Sequence, residues 1–308
     1  MLLLLIVACE DKGASGSDDS GCPSGETLVD GDCVAATDDS GTPGDDTGTP
    51  GVHERWVSAG QAHTCLLVDG DVTCWGRNDG GELDVPDKGP FLSVDASELT
   101  CGLLAGEDGE AACWGPEDYG ENFVLGDGYV QITTGDDHGC GISINGLAVC
   151  WGSNLEDQGN APDGAMTAID AGAYHTCGIH NGGRIECWGR SNLQPEKGLS
   201  FTSVSAGGSS ACGITVAGDL RCWGEDENVI VEFPSGSFEQ VSVGGSHACA
   251  LNAAGALQCW GLDSDGQTDV PGGTYTQVSA GTNHTCAVTT GGQVVCWGSD
   301  ADGQASPP

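Results

Sequence analysis

Positive charge is what this sequence has least of. Only 8 of its 308 residues are lysine or arginine, against 46 aspartate and glutamate residues, and the formal net charge is −38. A protein that binds DNA or RNA needs basic side chains to neutralise phosphate groups. We therefore expect no nucleic acid partner.

Long hydrophobic runs and helical patterns are also scarce. The longest apolar run near the start, residues 2–8, is too short to span a bilayer, which takes about 20 residues. Elsewhere, apolar residues form short β-branched segments separated by glycine and aspartate, a pattern typical of strands. These features predict an all-β protein.

A cysteine-rich segment recurs seven times, and its last copy is HTCAVTTGGQVVCWG, from His284 to Gly298. Upstream of each copy lies a β-branched residue in a motif like VSAG. These residues repeat every ~37 positions, a period typical of solenoids, propellers and arrays. They are Val57, Val94, Ile132, Ile169, Val204, Val241 and Val278.

The turn residues predict that the two cysteine-bearing strands of each copy form a hairpin. If Cys65 faces Cys74, the turn is Asp69-Gly70, which suits a two-residue type I′ turn. In the same register, each of the other loops ends in a glycine, as the left-handed conformation requires. Those glycines are Gly109, Gly146, Gly183, Gly218, Gly255 and Gly292.

Directly opposed residues in such a hairpin have Cα atoms about 4.5 Å apart, which a disulfide can bridge. We expect one disulfide per repeat, in preference to buried thiols or metal sites, which usually have closer CxxC spacing. The expected pairs are Cys65–Cys74, Cys101–Cys113, Cys140–Cys150, Cys177–Cys187, Cys212–Cys222, Cys249–Cys259 and Cys286–Cys296.

Seven repeats of short strands predict a seven-bladed β-propeller over residues 55–308. Each blade would have three clear strands and a weaker fourth near its VP motif, as at Leu83–Pro86 and Thr268–Pro271. A linear array is the alternative, and residues 303–308 could either close the last blade alone or pair with the first. Side chains alternate along a strand, so each Trp points away from its neighbouring Cys, towards the adjacent blade.

We therefore expect two sets of aromatic side chains to pack between blades, although the tryptophans could also stack on a ligand. The first set is Trp75, Trp114, Trp151, Trp188, Trp223, Trp260 and Trp297. The second set, three residues before the β-branched position, is Phe91, Tyr129, Phe201, Phe238 and Tyr275.

The N-terminal residues predict export. Residues 1–9, MLLLLIVAC, resemble a bacterial lipoprotein signal with lipid on Cys9, although no basic residue precedes the apolar run. The alternatives are a plain secretory signal and an N-terminal artefact. Residues 10–54 are an acidic stretch rich in Gly, Ser, Thr and Pro, which predicts a disordered tether. Within it, CPSGETLVDGDC predicts a small hairpin closed by a Cys22–Cys33 disulfide.

The repeat resembles that of the regulator of chromosome condensation family, on the evidence of VSAGTNHTCAVTTGGQVVCWG and WGLDSDGQTDVP. The short repeat is most similar to the secreted bacterial branch that includes beta-lactamase inhibitor protein II, although cysteines at both hairpin positions depart from it. The resemblance implies a propeller that binds proteins through one face. Nucleotide exchange on a cytosolic GTPase does not fit an exported, acidic chain.

Histidine precedes the first cysteine by two residues in five repeats, where Leu99 and Ser210 replace it in the other two. A ring of histidines could bind metal, but a repeated structural role fits better. The histidines are His63, His138, His175, His247 and His284.

Other candidate chemistry is sparse. The turn with Asp263, Asp265, Gly266 and Asp269 resembles part of a calcium loop but lacks its bidentate glutamate, and a β-turn fits better. No nucleophile, base and orienting group form a recognisable triad. The second and fifth repeats are the most irregular and acidic, so they are our candidate partner loops: Glu98, Glu117, Asp118, Glu225, Asp226 and Glu227.

We expect an exported, lipid-anchored propeller that binds a basic protein partner at the bacterial cell envelope. It would be a monomer without enzyme activity, cofactor or metal, attached to the outer membrane or cell surface by its N-terminal lipid alone, or else secreted. The alternatives are a secreted hydrolase or lyase on a propeller scaffold, and a calcium-stabilised structural surface protein.

Overall fold

The computed structural model describes residues 26–29, 32–35, 55–106, 109–116, 124–125, 128–190 and 194–308. The chain divides into two units, residues 1–51 and 52–308. In the first unit, β1 (Glu26–Val29) and β2 (Asp32–Ala35) pair antiparallel, in agreement with the predicted hairpin. Its predicted Cys22–Cys33 disulfide remains a prediction, because Cys22 lies outside the described residues, as does Cys9.

The second unit consists of seven antiparallel sheets in sequence order, as a seven-bladed propeller requires. Blade 1 consists of β3 (Arg55–Ala59), β4 (His63–Val68) and β5 (Asp71–Gly76), and blade 2 of β6 (Phe91–Ala96), β7 (Thr100–Leu104), β8 (Ala111–Trp114) and β9 (Val124–Leu125). Blade 3 consists of β10 (Tyr129–Thr134), β11 (His138–Ser143) and β12 (Ala148–Gly152), and blade 4 of β13 (Met166–Ala171), β14 (His175–His180) and β15 (Ile185–Gly189).

Blade 5 consists of β16 (Phe201–Gly207), β17 (Ser210–Thr215) and β18 (Leu220–Gly224), and blade 6 of β19 (Gln240–Val243), β20 (His247–Leu251) and β21 (Leu257–Gly261). Blade 7 consists of β22 (Tyr275–Ala280), β23 (His284–Thr289) and β24 (Val294–Gly298). One short helix, α1 (Glu227–Ile230), follows blade 5. Among the described residues, no helix is long and apolar enough to cross a membrane.

The predicted fourth strand at the VP motif is wrong. Among the described residues, only blade 2 has four strands. At Leu83–Pro86 the backbone donors serve local turns instead: the amide of Asp84 donates to Gly81 (3.1 Å), and that of Val85 donates to Leu83 (2.9 Å). The proline that ends each motif has no amide hydrogen, so it cannot extend a ladder.

The predicted hairpin register is confirmed. Each first cysteine lies directly opposite its second cysteine, as in the pair Cys65 and Cys74, and all seven disulfides are present with Cα–Cα distances of 4.0–4.1 Å. Asp69 and Gly70 both have positive φ, as a type I′ turn demands. The six predicted loop glycines also have positive φ.

The blades pack through the predicted contact between disulfide and tryptophan. Cys65 of blade 1 shares a buried cluster with Trp114 and Phe91 of blade 2. The same arrangement recurs at every interface, including that between Cys286 of blade 7 and Trp75 of blade 1. Sulfur–aromatic contacts add about 0.3–1.5 kcal/mol each to the burial of the indole.

Ring closure is non-covalent and uses the contacts of the other interfaces. The carbonyl oxygen of Gln304, after blade 7, accepts from Trp75 Nε1 (2.9 Å) and from Thr64 Oγ1 (3.0 Å) in blade 1. At the preceding interface, the carbonyl of Gln267 accepts from Trp297 and Thr285 in the same way. The terminal segment therefore lies between the last blade and the first without adding a strand.

Candidate functional site

The first strand of each blade lines a central channel with a volume of about 540 Å³. In each blade, the residue after the β-branched position accepts a hydrogen bond through its side chain from a backbone amide of the next blade. The seven residues together form a ring around the channel. Distances from these amides are 2.7–3.1 Å. The ring consists of Ser58, Asp95, Thr133, Asp170, Ser205, Ser242 and Ser279.

Two members of this ring are carboxylates instead of hydroxyls. Asp95 accepts from the Ser58 hydroxyl (3.3 Å), and Asp170 accepts from the Thr133 hydroxyl (3.1 Å). Burial raises the pKa of both carboxyls, and the nearby Asp95 raises that of Asp170 further. The lining contains no lysine, arginine or histidine among the described residues. Sequence reasoning missed this ring, although Ser, Thr or Asp at one repeat position was a visible signal.

The five predicted histidines are buried between blades, as their structural interpretation requires. His63 Nε2 lies 2.6 Å from Thr100 Oγ1 in the next blade, and three more histidines make the same contact at 2.7–2.8 Å. Because Thr64 donates its hydroxyl hydrogen to Gln304, it must accept from His284. His175 differs, because Ala211 of blade 5 occupies the position that the partner threonine has at the other interfaces. Its Nε2 therefore has no partner among the described residues.

One of these pairs resembles a catalytic triad. Thr176 Oγ1 lies 2.8 Å from His138 Nε2, and Asp137 Oδ1 lies 3.5 Å from His138 Nδ1. Thr176 and His138 are both fully buried, however, so no substrate atom can reach the hydroxyl. The same His–Thr pair occurs in other blades without an aspartate, which indicates a structural role.

The Asp-rich turns use their side chains to close the turn. Asp263 Oδ1 accepts from the amide of Thr268 (2.9 Å), and Asn78 accepts from that of Leu83 at the equivalent position of blade 1 (2.9 Å). The side-chain amide oxygen of asparagine therefore accepts this hydrogen bond in the same way as the carboxylate oxygen of aspartate. Among the described residues, no group of three or more His, Cys, Asp or Glu side chains is placed to hold a metal ion.

The four candidate partner residues that the structure describes lie at one end of the ring, which we call the connection face. It is formed by the segments that follow the first and third strands of each blade, such as residues 60–62 and 77. Glu98 lies there, where burial and the neighbouring Asp136 raise the pKa of its carboxyl. Glu225, Asp226 and Glu227 lie on the same face in blade 5. Glu117 and Asp118 are outside the described residues.

A hollow of about 310 Å³ opens on the connection face beside Glu225 and Asp226. It lies between blades 4, 5 and 6, and we call it the blade 5 pocket. Its residues are Ala173, Tyr174, His175, Arg190, Gly208, Ser209, Glu225, Asp226, Gly245 and Ser246. The sequence identified two of its carboxylates as candidates but missed Tyr174 and Arg190.

Comparison with protein families identifies the repeat. The model described as "Regulator of chromosome condensation (RCC1) repeat" matches residues 57–82, 129–158, 166–193, 238–267 and 275–304. These segments fall in blades 1, 3, 4, 6 and 7. The two remaining blades, 2 and 5, are those that the sequence marked as irregular. A search among curated proteins finds no match.

Solved structures with the same fold include plant receptor ectodomains. The CRINKLY WD40 ectodomain of the Arabidopsis thaliana receptor kinase ACR4 has 26% identity and a TM-score of 0.70, over 82% of this chain and 97% of that chain. The ectodomain of the Physcomitrella patens receptor kinase CR4 has 25% identity and a TM-score of 0.69, over 79% and 72%.

Yeast Prp20p, from Saccharomyces cerevisiae, matches in fold with 16% identity and a TM-score of 0.59, over 73% of this chain and 80% of that chain. Assignment of this chain to the secreted bacterial branch of the family remains a prediction.

The unpaired His175 predicts a stabilising substitution. Ala211→Thr should place a hydroxyl where Thr100 lies relative to His63 and raise the free energy of unfolding by about 1 kcal/mol, the net value of a typical hydrogen bond. Thermal unfolding of the disulfide-intact chain measures this change. Ala248→Thr is the matched control, because blade 5 presents Ser210 there instead of histidine. Equal effects in the two variants would contradict the His–Thr contact as the cause.

The buried histidines also predict loss of stability in acid. Burial lowers the pKa of His63 from 6.5 to about 4 and that of His284 to about 3, so the folded state binds fewer protons than the unfolded chain. Their contribution is complete above pH 6.5 and falls as the pH drops towards 3. Asp170 acts in the opposite sense, because its raised pKa stabilises the fold at low pH and loses this effect as the pH rises.

Unfolding free energies between pH 3 and pH 8 measure this dependence. His284→Gln should flatten the acid slope between pH 6.5 and 3, whereas Asp170→Ser should make it steeper. An unchanged slope in both variants would show that other groups govern the acid response.

Proposed function

Because this chain carries regulator of chromosome condensation repeats in five of its seven blades, we propose that it is an exported protein-binding module whose acidic connection face recruits a basic partner at the bacterial cell envelope. The carrying observation is that Glu98 of blade 2 and the acidic residues Glu225, Asp226 and Glu227 of blade 5 lie on the same face of the ring. Prp20p, which has this fold, is a protein with described binding to Gsp1p and histones.

Seven disulfides support a location outside the cytosol, because reducing conditions there would keep the thiols free. The two plant neighbours with at least 25% identity are ectodomains, which is consistent with an extracellular setting. Cys9 would carry the lipid, and residues 10–54 would hold the propeller away from the membrane. Attachment would then depend on the lipid alone, and the propeller would act as a monomer.

The acidic face favours a basic partner on electrostatic grounds. At low ionic strength the Debye length is roughly 30 Å, and at 1 M salt it shrinks to roughly 3 Å, so attraction between exposed charges is strong only in the first case. Complementary charge mainly raises association rates. The rigid blades would present the loops in a fixed arrangement, which limits the entropy lost on binding.

Charge removal on the connection face should weaken binding. The immobilised full chain, incubated with an envelope extract, is expected to retain a basic protein in 10 mM salt and release it in 1 M salt. The variant Glu98→Gln/Glu225→Gln/Glu227→Gln should slow association about tenfold. The matched control, Asp71→Asn/Glu110→Gln/Glu239→Gln, removes three exposed charges away from this face. Equal slowing in the two variants would exclude the connection face as the binding surface.

Replacement of Cys9 tests the anchor. In a bacterial host that processes lipoproteins, the full chain should partition with membranes and incorporate labelled palmitate. The variant Cys9→Ala should lose both properties, because no sulfur remains to carry the lipid. Cys22→Ala serves as the control, since it removes a cysteine at a neighbouring site. Membrane association that survives in Cys9→Ala would contradict the lipid anchor.

A further inference from the structure

The departures from the repeat converge on the blade 5 pocket. At the rim of the channel, blades 1, 2, 3 and 7 carry the side chains of Gln61, Ser97, Asp136 and Thr282, whereas blades 5 and 6 have Gly208 and Gly245. Blade 5 also has Ser210 in place of the repeat histidine and Ala211 in place of threonine. Each change replaces a larger side chain with a smaller one at this position of the ring.

Close backbone packing leaves no room for a side chain at either glycine. A Cβ atom on Gly208 would collide with the carbonyl oxygen of Gly245, and one on Gly245 would lie 2.7 Å from the carbonyl oxygen of Thr282. A larger residue at position 208 would force blades 5 and 6 apart, and one at position 245 would force blades 6 and 7 apart. The floor of the pocket is therefore bare backbone, which a ligand can approach closely.

The walls of the pocket are charged and aromatic. On the blade 4 side, the Arg190 guanidinium carbon lies 5.6 Å from the centre of the Tyr174 ring. On the blade 5 side are the carboxylates of Glu225 and Asp226, and Ser209 and Ser246 add hydroxyl groups. Two carboxylates face one guanidinium, so the lining is negative overall.

His175 adds a buried polar atom without a partner. The residue is 2% exposed, lines the pocket, and has no hydrogen bond at Nε2, unlike the paired histidines of blades 1, 3, 6 and 7. Burial lowers the pKa of His175 to about 4, so the ring is neutral at pH 7 and does not offset the carboxylates.

We propose that the blade 5 pocket takes an arginine or lysine side chain of the protein partner. The cation would lie against Glu225 and Asp226 in charge-assisted contacts, and its aliphatic stem would cover Tyr174. Arg190 would donate to the peptide carbonyl that flanks the bound residue. This inference rests on the proposed function and names the partner group that the acidic face recognises, in a pocket with the Tyr and Arg side chains common at interface hot spots.

Blocked peptides test the charge requirement directly. Acetyl-Gly-Arg-Gly-amide is titrated into the full chain at low salt by NMR, with the indole and imidazole signals as reporters. The citrulline analogue, which has the same shape without the charge, should bind at least about tenfold more weakly, because hydrogen bonds to charged groups are the stronger ones. Equal binding of the two peptides, or no binding of either, would overturn the proposal.

Two charge variants locate the site. Glu225→Gln/Asp226→Asn removes both pocket carboxylates, while asparagine can still cap α1, as Asp226 does through the amide of Asn228 (2.9 Å). Asp263→Asn/Asp265→Asn removes two charges from the blade 6 turn, where Asn78 of blade 1 already occupies the position of Asp263. Affinity for the arginine peptide should fall about tenfold in the first variant and stay unchanged in the second. Equal losses would indicate nonspecific attraction and overturn the pocket.

Filling the pocket separates this inference from the proposed function. Ser246→Tyr places a tyrosine at the position that Tyr174 occupies in blade 4, so the fold tolerates it there, and an unchanged melting temperature would verify this. The variant should bind neither the arginine peptide nor the partner that the wild-type chain captures. Capture that persists without peptide binding would overturn the pocket but leave the protein-binding function. Peptide binding by a wild-type chain that captures no protein would support the pocket and contradict that function.

Discussion

The contact between the disulfide of one blade and the tryptophan of the next is the interaction on which this structure depends. A three-stranded sheet of about 15 residues cannot bury a core alone, so its stability must come from its neighbours. Each cystine closes a hairpin loop, worth roughly 2.5–3 kcal/mol in the chain-entropy model, and offers a fixed apolar surface to the indole. Because blade 7 makes this contact with Trp75, the ring closes without a strand shared between the ends of the repeat domain.

Polar contacts then determine the geometry of the ring. The channel hydroxyls and carboxylates bond backbone amides of the next blade, and the histidines bond threonines across the same interface. Gln277 adds a bridge to both the amide and the carbonyl of Val57. Such buried bonds contribute little net energy but would be costly to leave unmade, so they fix the angle between blades. The same set fixes where the loops of the connection face lie.

Much of the fold could be predicted from the sequence, because turns and disulfides are local. The Asp69-Gly70 turn and the pairing of Cys65 with Cys74 follow from a register within one hairpin. The prediction of a fourth strand was wrong because the VP motif has the composition of a strand, whereas the amides of Asp84 and Val85 donate hydrogen bonds within local turns. Tyr174 and Arg190 could not be assigned to the pocket, since their position beside Glu225 depends on contacts between blades that no local pattern encodes.

Repetition also indicates where function should be sought. A side chain present in every blade serves the ring, as the tryptophans do. Thr176 and His138 are also structural, although with Asp137 they resemble a triad, because both are fully buried and the His–Thr contact recurs at three other interfaces. Positions that the ring does not need are free to differ between blades. The family model matches every blade except 2 and 5. Those two blades carry the acidic loops, and the blade 5 pocket brings together Gly208, Glu225 and Asp226 of blade 5 with the unpaired His175 of blade 4. The part of the sequence that fits the repeat least well is thus the part where we propose that a partner binds.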